Sequence, residues 1–575
     1  MSFDADRFPP AGGMTDAPAG GMPVEPAETP VAPELARLAQ AFAAMCVRLD
    51  QPEPADERAA APTLRAVAAR AWIAAAQGHV CIRVSRPECE DLSASLAVTT
   101  EPAVRIAPLV LDGAHLYLAR LWRAETGLAA CLVAADRPGA LAAPAELQSA
   151  IARVFEEVDP ADAQQQAVLT ALQRRLCVIT GGPGTGKTST LARLLVAFTH
   201  LRPTLRVAYA APTGKAAARL AQALADAVAH LDPSGEIGRR LPGAGLTVHR
   251  LLGRQPDVPA LETLDLVIVD EASMLDLELA HDLVSRLGEQ TRLVLAGDRD
   301  QLASVEAGAV FAELCEARLD GRVRLLRNWR QREAPGIAAL AAAIREGQVP
   351  ADAPATPDVA LRAAEPNDVL ARALAGFEPA LARVRAVPGA DDQDAVEIMQ
   401  ANDRFRVLCA QRGGPLGTLA LNAAIARRVH DGPAAWYPGR LVMVTRNETA
   451  RQLFNGDVGV CLPWAQRDGA LAVAFVAGTV VRWVPLAQMP VCEDAWAMTI
   501  HKSQGSEFEG VALLPAAPGH PLNTRELIYT GVTRARNQLQ VHASMAVLAQ
   551  AAARPAARHG RLAQRIDALR IASPD

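Results

Sequence analysis

Apolar and polar positions recur with different periods in different parts of the chain. From about Glu34 to Ala150, Ala and Leu recur at helical spacing, which predicts a mostly helical region. There "GHVCIRV" and "PLVLDGAHLYLARLWRAE" break the pattern as short strands or a hairpin. Between Leu176 and Ala296 short apolar runs alternate with Ala-rich helical stretches. "LCVIT", "RVAYA", "DLVIVD" and "TRLVLAG" predict strands of a parallel α/β sheet, each ending in the polar or glycine residues that such a sheet turns toward its ligands. "RFRVLCA", "GVALLPA" and "NQLQVHA" predict a second α/β domain. The Pro- and Asp-rich "EGQVPADAPATPDVALRAAEPND" lies between the two and predicts an exposed connection. "LAVAFVAGTVVRWVPL" from Leu471 is rich in β-branched residues and interrupted by Gly478 and Arg482, so it predicts strands instead of a membrane span.

A chain of 575 residues is long for one core, and several domains are expected. The expected division is a leader over 1–33, a first domain over 34–150 and an α/β domain over 151–345. A connection over 346–395 and a second α/β domain over 396–575 follow, the latter with a β-rich insertion at about 440–491. The first domain carries no catalytic motif, which predicts a separable docking unit. The leader is Pro, Ala and Gly with acidic residues and has neither a basic start nor an apolar run, so it predicts disorder and no signal peptide.

Half the residues are apolar and 21% are charged, as in an ordinary globular protein. The net charge of -5 excludes a generally basic nucleic-acid coat but leaves room for a local basic channel. Nine cysteines stand singly, without a CxxC pair, which predicts reduced thiols and a cytoplasmic location.

Positive charge is carried almost entirely by arginine: of 58 Lys and Arg residues, only Lys187, Lys215 and Lys502 are lysine. All three fall in Gly- or Thr-rich motifs, "TGGPGTGKTST", "AAPTGKAAARL" and "MTIHKSQGSEFEG". A compact ammonium there is not exchangeable for a wide planar guanidinium.

"GGPGTGKT" comprises Gly181, Gly182, Pro183, Gly184, Thr185, Gly186, Lys187 and Thr188, with Ser189 next, and it follows an apolar strand and opens a helix. Glycines let successive N–H groups turn toward phosphates, and the helix N-terminus adds partial positive charge. Lys187 is expected at the β- and γ-phosphates of ATP and Thr188 at Mg²⁺. In "LDLVIVDEAS", Asp270 is expected to hold the same Mg²⁺ and Glu271 to accept a proton from the attacking water.

Further motifs occur in a fixed order. They are "APTGKAA", "TVHRLLG" from Thr247, "GDRDQLASVEAG" from Gly297, "NWRQ" ending at Gln331, "AMTIHKSQGSEF" and "ELIYTGVTRAR". Together with the phosphate loop and the acidic pair, they closely resemble the superfamily-one helicases over about Ala161 to Ala543. The resemblance implies tandem RecA-like P-loop NTPase motor domains. It implies that Gln301 senses the γ-phosphate, that Arg330 and Arg534 are arginine fingers from the second motor domain, and that Glu507 belongs to the nucleotide site. Surface ion pairs are the plain alternative for the two arginines. It also implies an adenine-reading glutamine among Gln164, Gln165 and Gln166, with spacing favouring Gln165.

"APTGKAA" is expected after a strand and at a helix start, where Pro212, Thr213 and Lys215 can hold a backbone phosphate; Thr247 and His249 are expected beside them. Thr499, His501 and Lys502 are expected to do the same on the second motor domain. Lys215 and Lys502 read either as DNA-side charges or as loop anchors, and both histidines also read as satisfied loop residues. "LFNGDVGV" from Leu453 with "TIHKSQGSEF" resembles the branch that moves 5′ to 3′ on DNA, in which the 440–491 segment is an SH3-like insertion.

Within that branch the chain is similar to the RecD family, the alpha subunits of exodeoxyribonuclease V. The similarity rests on "GHVCIRV", "PLVLDGAHLYLARLWRAE" and "WYPGRLVMVTRNETARQLFNGDVGV" outside the motor motifs. It implies a 5′ to 3′ helicase acting on single-stranded DNA and duplex ends, in a heterotrimer with RecB-like and RecC-like subunits and with no membrane. A regulatory subunit gating a partner's nuclease and a free-standing helicase are the alternatives. With Asp270 and Glu271 committed to ATP, no second carboxylate cluster remains for a two-metal nuclease.

Overall fold

The computed structural model describes residues 32–572 apart from 51–60, 158, 254–257, 330–332, 350–355, 449–450, 452 and 479. Arg330 and residues 1–31 of the leader therefore lie outside the described residues.

The strands expected between Leu176 and Ala296 form one parallel sheet. Its order is Arg322–Leu325, Leu176–Gly181, Arg292–Gly297, Leu266–Val269, Val207–Ala211 and Leu246–Thr247. The inner strands are buried throughout and almost wholly apolar because helices cover both faces. Arg322–Leu325 alternates exposed arginine with buried Val323 and Leu325, the signature of an edge strand.

The second parallel sheet runs Val359–Leu361, Ala535–Val541, Phe508–Leu514, Phe405–Cys409 and Ala497–Thr499. Val359–Leu361 comes from the segment expected as an exposed connection. Residues 346–395 also contain helix Pro366–Ala386 and the start of helix Asp392–Asp403, whose Val369, Phe377 and Ile398 enter the second core. Their apolar face has helical spacing, and only the flanks are rich in Pro and Asp.

The β-rich segment is an antiparallel sheet in the order Val480–Pro485, Ala470–Ala477, Val458–Trp464, Leu441–Val444 and Cys492–Asp494. No described helix is long and apolar enough to cross a membrane.

The first region pairs helices Pro33–Asp50 and Ala61–Ala76 with a small sheet of Cys81–Arg83, His115–Leu118, Leu109–Asp112 and Val98–Thr99. "PLVLDGAHLYLARLWRAE" is half hairpin and half helix: strand His115–Leu118 turns directly into helix Ala119–Ala135. That helix packs on helix Leu277–Ser285 of the first motor sheet. At their crossing a Cβ on Gly127 would stand 2.5 Å from His281 Nε2, so glycine lets the imidazole lie against the helix backbone. Leu121, Leu128 and Leu132 share one buried cluster with Leu283, Leu293 and Phe311. The first region is therefore not a separable appendage, because its core runs into that of the motor.

The chain's end closes the same joint. Helix Leu562–Ala572 packs on helix Ala119–Ala135. Upstream of it, Val80 N donates to His559 O at 2.7 Å, and Arg558 donates to the carbonyls of Ser304 and Glu306 at 2.9 and 3.2 Å.

Candidate nucleotide-hydrolysis site

Strand Leu176–Gly181 delivers the phosphate loop, and helix Lys187–Leu201 leaves it. Gly184 and Gly186 have φ of 75° and 85°, the left-handed conformation that this turn requires of glycine. Thr185 Oγ1 donates to Gly182 O at 2.8 Å and tightens the loop. Lys187 Nζ donates to the carbonyls of Gly181 (2.7 Å) and Gly182 (3.2 Å), so the ammonium lies folded over its own loop. Arg193 Nη1 donates to Ser189 Oγ at 2.7 Å and to Gln164 Oε1 at 2.8 Å.

The three glutamines are separated by their partners. Gln164 Nε2 donates to Thr185 O at 3.3 Å and touches the phosphate loop directly. Gln165, the residue favoured by spacing, is buried and holds the preceding turn: Nε2 donates to Glu157 O at 2.6 Å and Oε1 accepts from Asp159 N at 3.0 Å. Gln166 bonds Pro160 O from the surface.

Asp270 follows strand Leu266–Val269, and its Oδ1 accepts from Glu271 N at 2.8 Å. Glu271 has φ 52° and ψ 36°, a left-handed conformation that costs a non-glycine residue on the order of 1 kcal/mol and is held by its surroundings. Burial and the adjacent Glu271 push the Asp270 carboxyl well above the usual carboxylate range, while Lys187 draws it back. Two adjacent carboxylates, the first of them buried, at the end of a strand of the same sheet as the phosphate loop fit a hard divalent cation with oxygen ligands.

Asp298 follows strand Arg292–Gly297 and is fully buried. Its Oδ2 accepts from Gln301 Nε2 and from the Tyr529 hydroxyl, each at 3.1 Å, and its Oδ1 accepts from Asp300 N at 3.1 Å. Leu302 N donates to Thr530 Oγ1 at 2.9 Å, and Gln504 Nε2 donates to Leu302 O at 3.0 Å. The sensor segment of the first sheet is thus held by three residues of the second.

Between the halves lies a cavity of about 250 Å³ lined by Gly181, Gly182, Thr185, Asp298, Tyr529 and Arg536. Trp329, which sequence reasoning passed over, stands at the loop: its N donates to Gly184 O at 3.0 Å, and the Arg327 guanidinium lies 3.7 Å from its ring. The signal was an exposed aromatic beside the expected arginine in "NWRQ".

Arg534 does not reach the phosphate loop. It is buried in its own half, with Nε donating to Thr530 O at 3.2 Å and Nη1 to Ser506 O at 3.1 Å. Glu507 accepts from Arg219 Nη2 at 2.9 Å and Arg536 Nε at 3.0 Å, so it joins the two halves and reaches the cavity wall through Arg536.

The strand-grip residues sit at the other end of the first sheet, beyond Leu266–Val269. Thr213 follows strand Val207–Ala211 with Pro212 and caps helix Gly214–Leu231, its Oγ1 accepting from Ala216 N at 3.2 Å. Thr247 caps the turn Val248–Leu252, and His249 is exposed beside it. Thr499 ends the edge strand of the second sheet, and Lys502 N donates to its Oγ1 at 3.4 Å. A Cβ on Gly505 would stand 3.1 Å from Ala216 Cβ, so the two grips face each other.

Lys502 Nζ is ion-paired with Glu493 in the last strand of the insertion. Burial pushes the Lys215 ammonium and the His501 imidazole down in pKa; Asp403 and Asp457 partly restore the former, and Arg558 lowers the latter further. The insertion also touches the first grip, since a Cβ on Gly214 would lie 2.8 Å from the Phe454 ring.

Comparison with known proteins matches residues 160–360 to an AAA domain family and residues 494–541 to the UvrD-like helicase C-terminal domain. The RecBCD enzyme subunit RecD of Mycolicibacterium smegmatis is 36% identical over 94% of this chain and 97% of that protein. The ATP-dependent RecD2 DNA helicase of Deinococcus radiodurans is 33% identical over 70% of this chain and 52% of that protein. A crystal structure of Pif1 helicase from Bacteroides in complex with ADP-AlF3 and ssDNA aligns over 73% of this chain and 99% of that one, with 16% identity and a TM-score of 0.40.

Proposed function

The chain belongs to the RecD family of RecBCD enzyme subunits and is an ATP-dependent DNA helicase, and from that premise we propose that it moves 5′ to 3′ along single-stranded DNA, as one motor of a heterotrimer with RecB-like and RecC-like subunits. One observation carries this reading. The phosphate loop, and a grip on each of two facing parallel sheets, all stand at the carboxyl ends of strands.

In this reading Lys187 exchanges the carbonyls of Gly181 and Gly182 for the β- and γ-phosphate oxygens of ATP. Thr188 and Asp270 would hold Mg²⁺, which when bound would neutralise charge at those oxygens. Glu271 accepts the proton of the attacking water, and Gln301, Arg330 and Arg534 act at the γ-phosphate. The backbone from Gly181 to Ser189 cradles the phosphates. Gln165 serves the adenine end by holding the turn at Glu157 and Asp159, Trp329 stands against the phosphate loop at Gly184, and Glu507 links the site to the first grip through Arg219 and Arg536.

Pro212, Thr213, Lys215, Thr247 and His249 hold one stretch of the strand, and Thr499 and His501 hold the next on a loop that Lys502 anchors through Glu493. Closure of the halves on ATP shortens the distance between grips, and hydrolysis restores it. The antiparallel insertion, in contact with Gly214 and Lys502, is assigned the SH3-like role of the 5′ to 3′ branch.

The first region supports docking to protein subunits. Val104 and Ile106 are more than 80% exposed, and Leu38 and Leu49 are exposed on helix Pro33–Asp50.

The test is unwinding. The chain assembled with its partner subunits should displace a strand from a duplex bearing a 5′ overhang, and Lys187→Gln should abolish displacement while the complex still forms. Displacement only from a 3′ overhang would overturn the direction. Magnesium-dependent cutting by this chain alone, surviving Lys187→Gln, would reveal a nuclease centre.

A further inference from the structure

Tyr529 lies on helix Arg525–Val532 of the second half and is 3% exposed, yet its hydroxyl crosses to the first half and donates to Asp298 Oδ2 at 3.1 Å. The same oxygen accepts from Gln301 Nε2 at 3.1 Å, and the other carboxylate oxygen accepts from Asp300 N. Asp298 is thereby held on three sides. A Cβ on Gly182 would lie 3.1 Å from the Tyr529 oxygen, so the hydroxyl also stands over the first glycines of the phosphate loop.

Gln301 is 5% exposed, and its Oε1 is buried with no hydrogen-bond partner among the described residues. A buried acceptor left unmade is costly and marks a group that awaits a donor. The two ends of a carboxamide are nearly the same shape, so its orientation is set only by its neighbours. Here Asp298 takes the NH₂ end and leaves the oxygen end without a partner among the described residues, directly after Asp298, Arg299 and Asp300 of the cavity wall.

We propose that Tyr529 is a positioning residue for ATP hydrolysis: by binding Asp298 across the cleft it fixes the carboxamide of Gln301, and it does so only when the two motor halves are together. The inference rests on the reading of Gln301 as the residue that meets the γ-phosphate or its water. Tyr529 is not needed to hold the halves together, since the Leu302–Thr530 and Gln504–Leu302 bonds remain without it.

The experiment measures ATP turnover of the full chain with saturating oligo(dT), in Tyr529→Phe, Gln301→Ala and the double variant, with thermal melting alongside. Tyr529→Phe should lower kcat about 10-fold, the rate equivalent of one hydrogen bond, with KM for ATP within about twofold of wild type. In the Gln301→Ala background it should cost nothing further. Asp298→Asn, which keeps the size of the side chain, should reproduce the loss.

If Tyr529→Phe turns over like wild type while Gln301→Ala is impaired, the positioning role is overturned and the site reading stands. If Gln301→Ala itself turns over like wild type, the reading of Gln301 fails first. A Tyr529→Phe chain whose loss is equal in both backgrounds, or appears as lowered melting, would make the hydroxyl structural and overturn the proposal.

Discussion

Arg565 Nε donates to Glu125 Oε2 at 2.7 Å, joining the last helix of the chain to the helix that bridges the first region and the motor. Glu125 is fully buried, and its Oε1 accepts from Arg561 N at 2.6 Å. Arg565 Nη2 also donates to Asp112 at 2.6 Å. Arg565→Ala removes the charged partner of a buried carboxylate, for which a loss of about 3–5 kcal/mol is expected. Chemical denaturation should show this as a lower midpoint. A midpoint within error of wild type would mean that water replaces the guanidinium.

The shared core changes what a truncation can do. Deleting residues 34–150 strips Leu121, Leu128 and Leu132 from Leu283, Leu293 and Phe311 and bares one side of the first motor half. The truncated chain should aggregate or expose apolar surface to dye, instead of surviving as a DNA-dependent ATPase.

Glu313 makes that joint sensitive to pH. Its Oε2 accepts from Ala563 N at 3.3 Å, at the start of the last helix. Burial, reinforced by Glu125, pushes its carboxyl up from the ordinary value to about 7. The folded chain therefore holds a proton that the unfolded chain has lost between about pH 4.5 and 7. This contribution to stability is complete below that window and disappears as pH rises through it, amounting to about 3 kcal/mol. Glu313→Gln, which stays neutral, should flatten the fall measured between pH 5 and 8. An unchanged slope would place the titration elsewhere.

What could be read in advance follows from locality. The phosphate loop, the acidic pair after "DLVIV" and the inner strands are each contiguous stretches whose composition is set by their own backbone geometry or by burial on both faces. The edge strands Arg322–Leu325 and Val359–Leu361 escaped because an edge tolerates charge and brevity. The division of labour among Gln164, Gln165 and Gln166 was open, since adjacent positions on one helix point in different directions and only the tertiary fold supplies their partners. The bonds of Arg558 to the first motor half and of Arg565 to the first region span more than 250 residues, and no local pattern encodes such a pairing.

Lys502 can be assigned by salt. Its ammonium is paired with Glu493, which makes it an anchor between the second grip and the insertion. Lys502→Ala should weaken single-stranded DNA binding by loosening the loop, yet leave the slope of log Kd against log salt unchanged. A direct phosphate contact would instead lower that slope by about 0.7. Fluorescence anisotropy with oligo(dT) at several salt concentrations distinguishes the two, and a shallower slope would make Lys502 a DNA contact.

Arg534 poses the sharpest question for the motor, because its guanidinium is inside the second half and away from the phosphate loop. Its acceptors are neutral carbonyls of Thr530 and Ser506, and hydrogen bonds to a phosphate oxygen are stronger because the acceptor carries charge. A phosphate arriving as the halves close can therefore draw the group out, and the cost of leaving two carbonyls is small beside the gain. On this account Arg534→Ala should keep ATP affinity within a fewfold of wild type and slow hydrolysis by about 10³-fold or more. Arg534→Lys should not restore the rate, since a point charge cannot span two phosphate oxygens as a planar fork does. Single-turnover hydrolysis with equilibrium nucleotide binding measures both quantities. Wild-type turnover with lowered melting would show that Arg534 only braces helix Arg525–Val532 against the loop at Ser506.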